Sequence, residues 1–196
     1  MKRLARAAER VLLGTGLIAL GYCAAVWVDA RLYQRRQSQV LDQTVRSEAG
    51  AAVVRRGRIR THSLIGRIQI PRVGLSVMVV EGDDAGTLRR AAGHIPGTAL
   101  PDQPGNVAIA GHRDTFFRPL RNVRRSDDIV LTTAEGVYHY RVGSMQVVGP
   151  DDTQVLRSSR RPTLTLVTCY PFTFVGSAPE RFIVQAYRVD GGPAHG

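Results

Sequence analysis

The sequence predicts an all-β domain, a barrel or sandwich of about eight short strands, that follows an N-terminal membrane helix. From residue 64 onward, short runs of alternating or β-branched apolar residues are separated by turns rich in Gly, Pro and Asp. No long helical pattern separates these runs, which argues against a doubly wound α/β sheet. A charge-free stretch of 18 residues precedes them. The length of 196 residues suits one domain with its own hydrophobic core.

The first element is the charge-free stretch. Residues 1–10 form a basic N-terminal segment, and residues 11–28 read VLLGTGLIALGYCAAVWV. At about 1.5 Å per residue this stretch nearly crosses a hydrocarbon core of roughly 30 Å. A cleaved signal peptide and a lipoprotein signal at LGYC stay open, although no Ala-x-Ala site follows and Tyr22 is bulky. We expect an uncleaved single-pass anchor in the cell membrane, with the N-terminus cytoplasmic and the body extracytoplasmic.

Residues 29–63 are predicted to form an Arg-rich, solvated stalk or linker. The net charge of +11 is concentrated toward this end: residues 1–63 hold 12 Lys and Arg against 4 Asp and Glu, and residues 64–196 hold 15 against 12. A nucleic-acid-binding protein more often carries its basic surface on the folded body. Basic residues beside an apolar segment suit a membrane surface, so we expect membrane lipid and no nucleic acid as a partner.

The body, residues 64–190, contains the strands in order. LIGRIQIP and LSVMVVEG are the first two, and AGTLRRA in the following connection indicates one short helix. NVAIAGHRD holds the next strand. DDIVLTTAEGVYHYRVGSMQVVGP holds two strands that meet near residues 134–136, and the second runs on through a bend at Gly143. TLTLVTC and ERFIVQAYRVD are the last strands, and residues 191–196 form a predicted flexible tail.

Cys169 is the candidate nucleophile. The only other cysteine, Cys23, lies in the predicted membrane segment, so we expect no disulfide between them. A free cysteine more often packs as an inert, small apolar residue. Cys169, however, ends a strand at a turn that contains Pro, where side chains reach an opening. The neighbouring Thr168 and Tyr170 are predicted to bind substrate or to support an oxyanion.

Two further residues complete a candidate site with Cys169. His112 follows a strand in NVAIAGHRD after several small residues, and His94 in AAGHIPG is its rival as catalytic base. Arg181 begins the strand after Cys169, and adjacent antiparallel strands bring such residues to one rim. A free thiol is only a few per cent thiolate at neutral pH, and a neighbouring imidazole or guanidinium stabilises the thiolate. With a general acid–base and an oxyanion donor, the three residues suit acyl transfer through a thioester.

These segments carry a resemblance to a known family. TLVTC resembles the Thr-Leu-x-Thr-Cys signature of sortases, especially class D, and AGHRDTFF and RFIVQA resemble their catalytic His segment and Arg strand. The run AAGHIPGTALPDQPGNVAIAGH resembles the family's approach to the catalytic His, which makes His94 the non-catalytic histidine. Over residues 64–190 the resemblance implies an eight-stranded sortase-type β-barrel with short helices in its connections. It also implies that Cys169 is the nucleophile, His112 the general acid–base and Arg181 the substrate-orienting oxyanion ligand.

The same resemblance implies a membrane-anchored cysteine transpeptidase. Such an enzyme cleaves an LPXTG-like C-terminal sorting signal of a secreted protein between Thr and Gly, and passes the acyl group to an amine of the cell envelope or of another protein. No cofactor is expected, because the scattered Cys and His give no zinc spacing and the acidic run at residues 81–84 is a weak calcium candidate. Two alternatives stay open: a peptidoglycan-directed thiol acyltransferase, whose Ser-x-Gly-Cys segment is absent, and a non-catalytic membrane-anchored β-domain.

Overall fold

A computed structural model of the chain describes residues 2–46, 62–174 and 176–189. Helix α1 spans Lys2–Arg46, so the predicted anchor and the first part of the predicted stalk share one continuous helix. By length and composition, α1 is apolar enough to cross a membrane, a property that an N-terminal signal sequence shares. The end of the predicted stalk, from residue 47 to 61, and the predicted tail lie outside the described residues.

The body is a closed barrel of eight strands, as the sequence predicts. Around the barrel the order is β1-β2-β3-β4-β7-β8-β6-β5, and β5 pairs back onto β1. The β2–β3 and β4–β7 pairs are parallel, and the other pairs are antiparallel. The strands are β1 Leu64–Ile70, β2 Leu75–Glu81, β3 Ala92–His94, β4 Asn106–Ala110, β5 Asp128–Thr133, β6 Val137–Val148, β7 Thr163–Tyr170 and β8 Glu180–Arg188.

Alternation along the strands builds the core. Apolar side chains from all around the barrel are fully buried inside it, and each contributes roughly 1.5–3 kcal/mol to stability by leaving water; they include Ile68, Ile109, Leu131, Tyr140, Leu164, Leu166 and Val184. Burial also raises the pKa of Tyr140 to about 12, because the low-polarity interior disfavours the phenolate. The barrel is therefore filled, and any site must lie on its outside or at its ends.

The connections are short helices and turns, with one departure from the sequence prediction. The predicted short helix is α2, Ala85–Arg90, and three 3-10 turns cover residues 71–73, 118–122 and 153–156. The bend in β6 is a β-bulge next to Gly143, where a Cβ atom would lie 2.4 Å from the Tyr187 ring. Strand β3 was not predicted. It is only three residues long and carries no alternation of its own, and its pairing with β2 and β4 defines it.

The C-terminal half of α1 packs against the barrel instead of standing clear of it. The Gln34 side chain donates to the Arg90 carbonyl at 2.7 Å and accepts from the Met78 backbone N–H at 2.8 Å. Arg67 of β1 pairs with Asp42 at 2.9 Å, and Leu41 is fully buried. These contacts fix the barrel close to the end of the predicted membrane segment.

Candidate active site

The strand register places Cys169 directly opposite Arg181. The antiparallel pair β7–β8 aligns Cys169 with Arg181 at the end where β7 leaves the barrel and β8 enters it. Directly opposite residues of two antiparallel strands have Cβ atoms about 4.5–5.5 Å apart and point to the same face. The thiol and the guanidinium therefore share one rim.

Both side chains lie on the outer face of the barrel. Leu164 and Leu166 of β7 pack in the core, so by alternation Cys169 points to the opposite side. On the neighbouring strand β4, the outward residues are Ala108 and Ala110, which pair with Thr165 and Val167. Ala108 is fully buried, and Ala110, the one nearer to the thiol, is half-buried.

His112 reaches the same rim from β4. The parallel register aligns Ala110 with Val167, and His112 follows Ala110 by two residues, as Cys169 follows Val167. Two hydrogen bonds extend this pairing beyond the strand: the Gly111 N–H donates to the Val167 carbonyl at 3.1 Å, and the Thr168 hydroxyl donates to the Gly111 carbonyl at 2.7 Å. Cysteine, histidine and arginine thus stand at the ends of three adjacent strands.

Phe117 supports the loop that carries His112 from the side of the hydrophobic core. The Phe117 N–H donates to the His112 carbonyl at 3.0 Å, and its ring is fully buried in the core. The ring lies so close to Gly111 that a Cβ there would sit 2.7 Å from it. Gly111 is therefore required at this position, and the small residues that the sequence shows before His112 make room for an aromatic anchor.

Arg113 links the histidine loop to the loop that follows Cys169, and sequence reasoning missed it. Its Nη2 donates to the carbonyls of Phe174 at 2.7 Å and Gly176 at 2.9 Å, and the side chain is 6% exposed. Because one guanidinium bridges both loops, it sets the separation of the two loops that flank the thiol. Its place directly after the candidate base was the available sequence signal.

Arg181 keeps part of its guanidinium free for a ligand. Its Nη1 donates to the carbonyls of Ala178 at 3.1 Å and Glu180 at 2.9 Å. Within the described part of the chain, its other N–H groups make no hydrogen bond. A half-buried guanidinium held in this way presents donors at a fixed position, as stabilisation of a developing oxyanion requires.

His94, the rival base, lies elsewhere and is occupied. It pairs across the strands with Ile109, a core residue, so it lies on the face opposite to that of Cys169. It is 2% exposed, with Nδ1 2.6 Å from the Glu81 carboxylate and Nε2 2.9 Å from the Ala99 carbonyl. Both ring nitrogens are engaged in fixing the barrel end, which leaves no free position for proton transfer to a substrate.

The two predicted supporting residues have different surroundings. Thr168 is buried, and its hydroxyl donates to Gly111, so oxyanion support from this residue stays a prediction while its structural partner is the histidine loop. Tyr170 is half-buried and packs with two aromatic rings that sequence reasoning did not single out. Its centroid lies 6.0 Å from that of Phe172 and 6.2 Å from that of Phe182. This cluster forms an apolar wall on the core side of the Cys169 rim.

The acidic run at residues 81–84 has partners within the barrel. Glu81 binds His94, and Asp84 caps α2. Hydrogen bonds from the Thr87 side chain and from backbone N–H groups lower the pKa of Asp84 to about 2. No group of three or more potential metal ligands occurs among residues 2–46, 62–174 and 176–189. Independence of calcium stays a prediction.

The fold is a closed eight-stranded barrel with Cys169, the His112 loop and Arg181 at one end of it. A family model of the sortase domain matches residues 68–189, more than half of the chain, and the chain belongs to the sortase family. It is 35% identical to sortase D of Bacillus subtilis strain 168 over 125 residues, 63% of this chain and 63% of the relative. With sortase A of Bacillus anthracis the identity is 26% over 141 residues, 70% of this chain and 67% of the relative.

Solved structures agree with this family. The sortase D5 transpeptidase of Clostridium perfringens superposes with a TM-score of 0.68 at 28% identity, covering 79% of this chain and 98% of that one. Sortase C of the same species, solved with the C-terminal cell wall sorting motif, gives a TM-score of 0.62 at 25% identity, covering 68% and 74%. The match to Bacillus subtilis sortase D spans less than two thirds of that relative's length.

Proposed function

We propose that this protein is a membrane-anchored cysteine transpeptidase, most similar to class D sortases, that cleaves an LPXTG-like C-terminal sorting signal and transfers the substrate protein to an amine. The observation that supports the proposal is the pairing of Cys169 with Arg181 across β7 and β8, with the His112 loop following β4 at the same end of the barrel. The sorting motif bound to Clostridium perfringens sortase C supports the substrate class.

In the first half of the reaction, the Cys169 sulfur attacks the carbonyl carbon of the Thr in the signal. The free N–H donors of Arg181 stabilise the oxyanion of the tetrahedral intermediate, and one such donor is typically worth about 10²–10³ in rate. His112 protonates the departing Gly amine as the C–N bond breaks. A thioester between Cys169 and the substrate remains.

In the second half, an acceptor amine attacks the thioester carbonyl. His112 takes the proton of the incoming amine, a new amide bond forms, and the Cys169 thiolate leaves. The acceptor amine belongs to the cell envelope or to another protein.

The location follows from α1. The apolar residues of positions 11–28 are exposed on this helix, as in a segment that faces lipid, and basic residues precede it. We propose that α1 crosses the cell membrane once, with its N-terminus in the cytoplasm and the barrel on the extracytoplasmic side. Secreted proteins that carry a sorting signal would then meet the active site at the membrane surface.

The test is mass spectrometry of the full chain incubated with an LPXTG peptide. We expect an adduct on the Cys169 peptide with the mass of the substrate up to Thr, together with release of the Gly-containing fragment. Cys169→Ala should form no adduct, and Cys23→Ser, the matched control on the other thiol, should form it normally. If Cys169 alkylates readily and the folded protein still forms no adduct with any sorting-signal peptide, the proposal is wrong.

A further inference from the structure

A groove runs between α1 and the barrel, next to the histidine loop. Its volume is about 750 Å³, within the range of roughly 300–1,000 Å³ that is usual for ligand sites. We call it the helix–barrel groove. On the helix side it is lined by Tyr22 and Val26 and, farther along α1, by Arg31 and Arg35. Phe116 and Arg89 line it from the barrel side, and Arg89 also lies beside Tyr22 and Val26.

The polarity of the groove changes in the same order as that of a bilayer surface. Tyr22 and Val26 belong to the predicted membrane segment. Trp27 follows them, 58% exposed, with the Arg31 guanidinium 4.1 Å above its ring. Aromatic rings of this kind are enriched at the depth of lipid head groups. On α1, Arg31 and Arg35 lie about one and two helical turns beyond Trp27, where the phosphates of a bilayer would be.

The arginines of the groove lack counter-charges within the described residues. Arg31, Arg35 and Arg89 are exposed, and none of them forms an ion pair in the described ranges. Asp114 is the carboxylate that also lines the groove, and it is 71% exposed beside Arg113. Three cations against one carboxylate leave the groove electropositive.

We propose that the helix–barrel groove binds one anionic phospholipid of the leaflet on the barrel side, with its phosphate on the arginines and the start of its acyl chains along Tyr22, Val26 and Phe116. The inference rests on the proposed anchoring of α1. An anionic lipid matches both halves of the groove, whereas a free phosphate matches only the basic half. Phe116 lies four residues after His112, so the lipid would also contact the catalytic histidine loop.

Trp27 is the only tryptophan of the chain and reports on the groove directly. The full chain is placed in nanodiscs of phosphatidylcholine with a fixed fraction of phosphatidylglycerol. In one preparation the phosphatidylglycerol carries the quencher, and in the other the phosphatidylcholine carries it. The quencher is bromine on the acyl chain close to the head group. We expect stronger quenching of Trp27 by the brominated phosphatidylglycerol at equal mole fraction.

The variant R31Q/R35Q/R89Q should lose this preference, with a fall of about tenfold in lipid selectivity, as removal of several lipid-facing charges predicts. The control R121Q/R125Q/R160Q removes three exposed arginines outside the groove and should keep the preference. Equal quenching by both lipids in the unmodified chain would overturn the inference. A control variant that loses the preference for phosphatidylglycerol as much as R31Q/R35Q/R89Q does would also overturn it. Relief of quenching by millimolar glycerol phosphate would show an anion site that does not select a lipid, and would also overturn it.

Flotation of the nanodiscs separates this inference from the proposed anchoring. A chain that does not float with the discs contradicts the anchoring and the groove together. A chain that floats and shows no lipid preference contradicts the groove alone.

Discussion

The two histidines that compete as catalytic base differ in what their ring nitrogens touch. Both nitrogens of His94 contact protein oxygens in a buried position, whereas His112 is half-exposed at the rim of Cys169. A general base must have one nitrogen free to exchange a proton with substrate. The assignment of His112 therefore depends on the surroundings of each ring.

We expect His112→Ala to lower kcat/KM by about 10²–10⁴, the usual contribution of a general acid–base, with little change in stability. His94→Gln should do the reverse. It leaves Glu81 poorly paired and costs about 1–3 kcal/mol of unfolding free energy, while kcat/KM of the folded protein stays within a few fold. Peptide cleavage assays and urea unfolding of both variants measure the contrast. Equal loss of turnover in two folded variants would contradict the assignment of the base.

We expect Arg181→Lys to lower kcat by about 10²-fold, because an ammonium cannot replace a planar guanidinium that binds two carbonyls and still presents donors to an oxyanion. Arg188→Lys, on the same strand and at the other end of the barrel, is the matched control. Initial rates at saturating peptide report the effect. An Arg181→Lys enzyme with full kcat would remove the guanidinium from the mechanism.

At this scale the sequence points to candidate reacting residues and is silent about the residues that hold them. The positions of Cys169, His112 and Arg181 at strand ends could be predicted because each lies in a recognisable segment, and their catalytic roles stay predictions. The partners of Arg113 could not be predicted, since they are backbone carbonyls more than sixty positions away. Thr168 was noticed as a hydroxyl near the thiol, but its partner, the Gly111 carbonyl, depends on the parallel pairing of β4 with β7.

Among the elements, the two loops beside the thiol are coupled through Arg113. The loop after β4 carries the base, and the loop between β7 and β8 follows the nucleophile. Arg113 belongs to the first and binds carbonyls of the second at Phe174 and Gly176. The pairing of β4, β7 and β8 fixes where these strands end. The Arg113 bridge fixes the distance between the two loops that continue from them.

We expect Arg113→Met to lower kcat/KM by about ten- to a hundredfold, because small misplacements of reacting groups cost this much. Backbone hydrogen exchange in residues 171–179 should rise in the same variant. Arg113→Lys should recover only part of the rate, since a lysine stem does not bring its ammonium to the position of the arginine Nη2, and Arg118→Met on the exposed side is the control. Unchanged exchange together with unchanged kcat/KM would show that the bridge does not position the site.

A second link joins the turn after β1 to the start of β5. The Asp127 carboxylate accepts from two nitrogens of Arg72 and from the Arg124 N–H at 2.8 Å. The hydrogen bonds from Arg72 are the main cause that lowers the pKa of Asp127 in the folded protein. The unfolded chain, with an ordinary Asp pKa near 3.9, then binds more protons in acid. The link stabilises the fold above about pH 4 and is lost as the pH falls through the folded-state pKa.

Asp127→Asn should therefore reduce the unfolding free energy at pH 7 by about 1–2 kcal/mol, a modest value because Arg72 is partly exposed and screened. The difference from the unmodified protein should shrink as the pH falls below about 4. Asp128→Asn removes a neighbouring exposed carboxylate and should change little. Urea unfolding at several pH values measures both, and a difference that does not depend on pH would contradict the linkage.

At the element scale, most of the barrel could be predicted. Alternating or β-branched runs in the sequence predict seven of the strands, and Gly143 predicts the bend in β6. Strand β3 could not be predicted, because three residues carry no period and its place is decided by β2 and β4 on either side. The stalk was predicted as a solvated spacer, and its packing on the barrel through Gln34 and Leu41 could not be predicted.

For the whole molecule, α1 is both a candidate anchor and part of the folded body. Leu41 is buried, Gln34 binds Arg90 and Met78, and Asp42 pairs with Arg67. Removing the helix exposes the apolar surface under Leu41 and leaves the Met78 N–H without this partner. The segment beyond the membrane therefore contributes to the stability of the barrel.

We expect a chain that starts at residue 29 to unfold at a higher temperature than one that starts at residue 62. The second lacks the packing of Leu41 and three polar links, and we expect it to be about 2–4 kcal/mol less stable. Leu41→Ala in the longer chain should reproduce much of the loss. Thermal unfolding followed by circular dichroism compares them, and equal midpoints would show that the docking contributes nothing.

Strand β8 is the last to be synthesised, yet it lies in the middle of the sheet, between β7 and β6. Until residues 180–188 emerge, both neighbours have open edges and the barrel cannot close. A nascent chain that has reached only the Cys169 turn has a thiol without the paired guanidinium, so we expect no thioester formation until β8 has docked. Closure depends on contacts between residues distant in sequence, which makes folding slow. A chain truncated before residue 180 would retain the nucleophile and lose both its activity and its protection against aggregation.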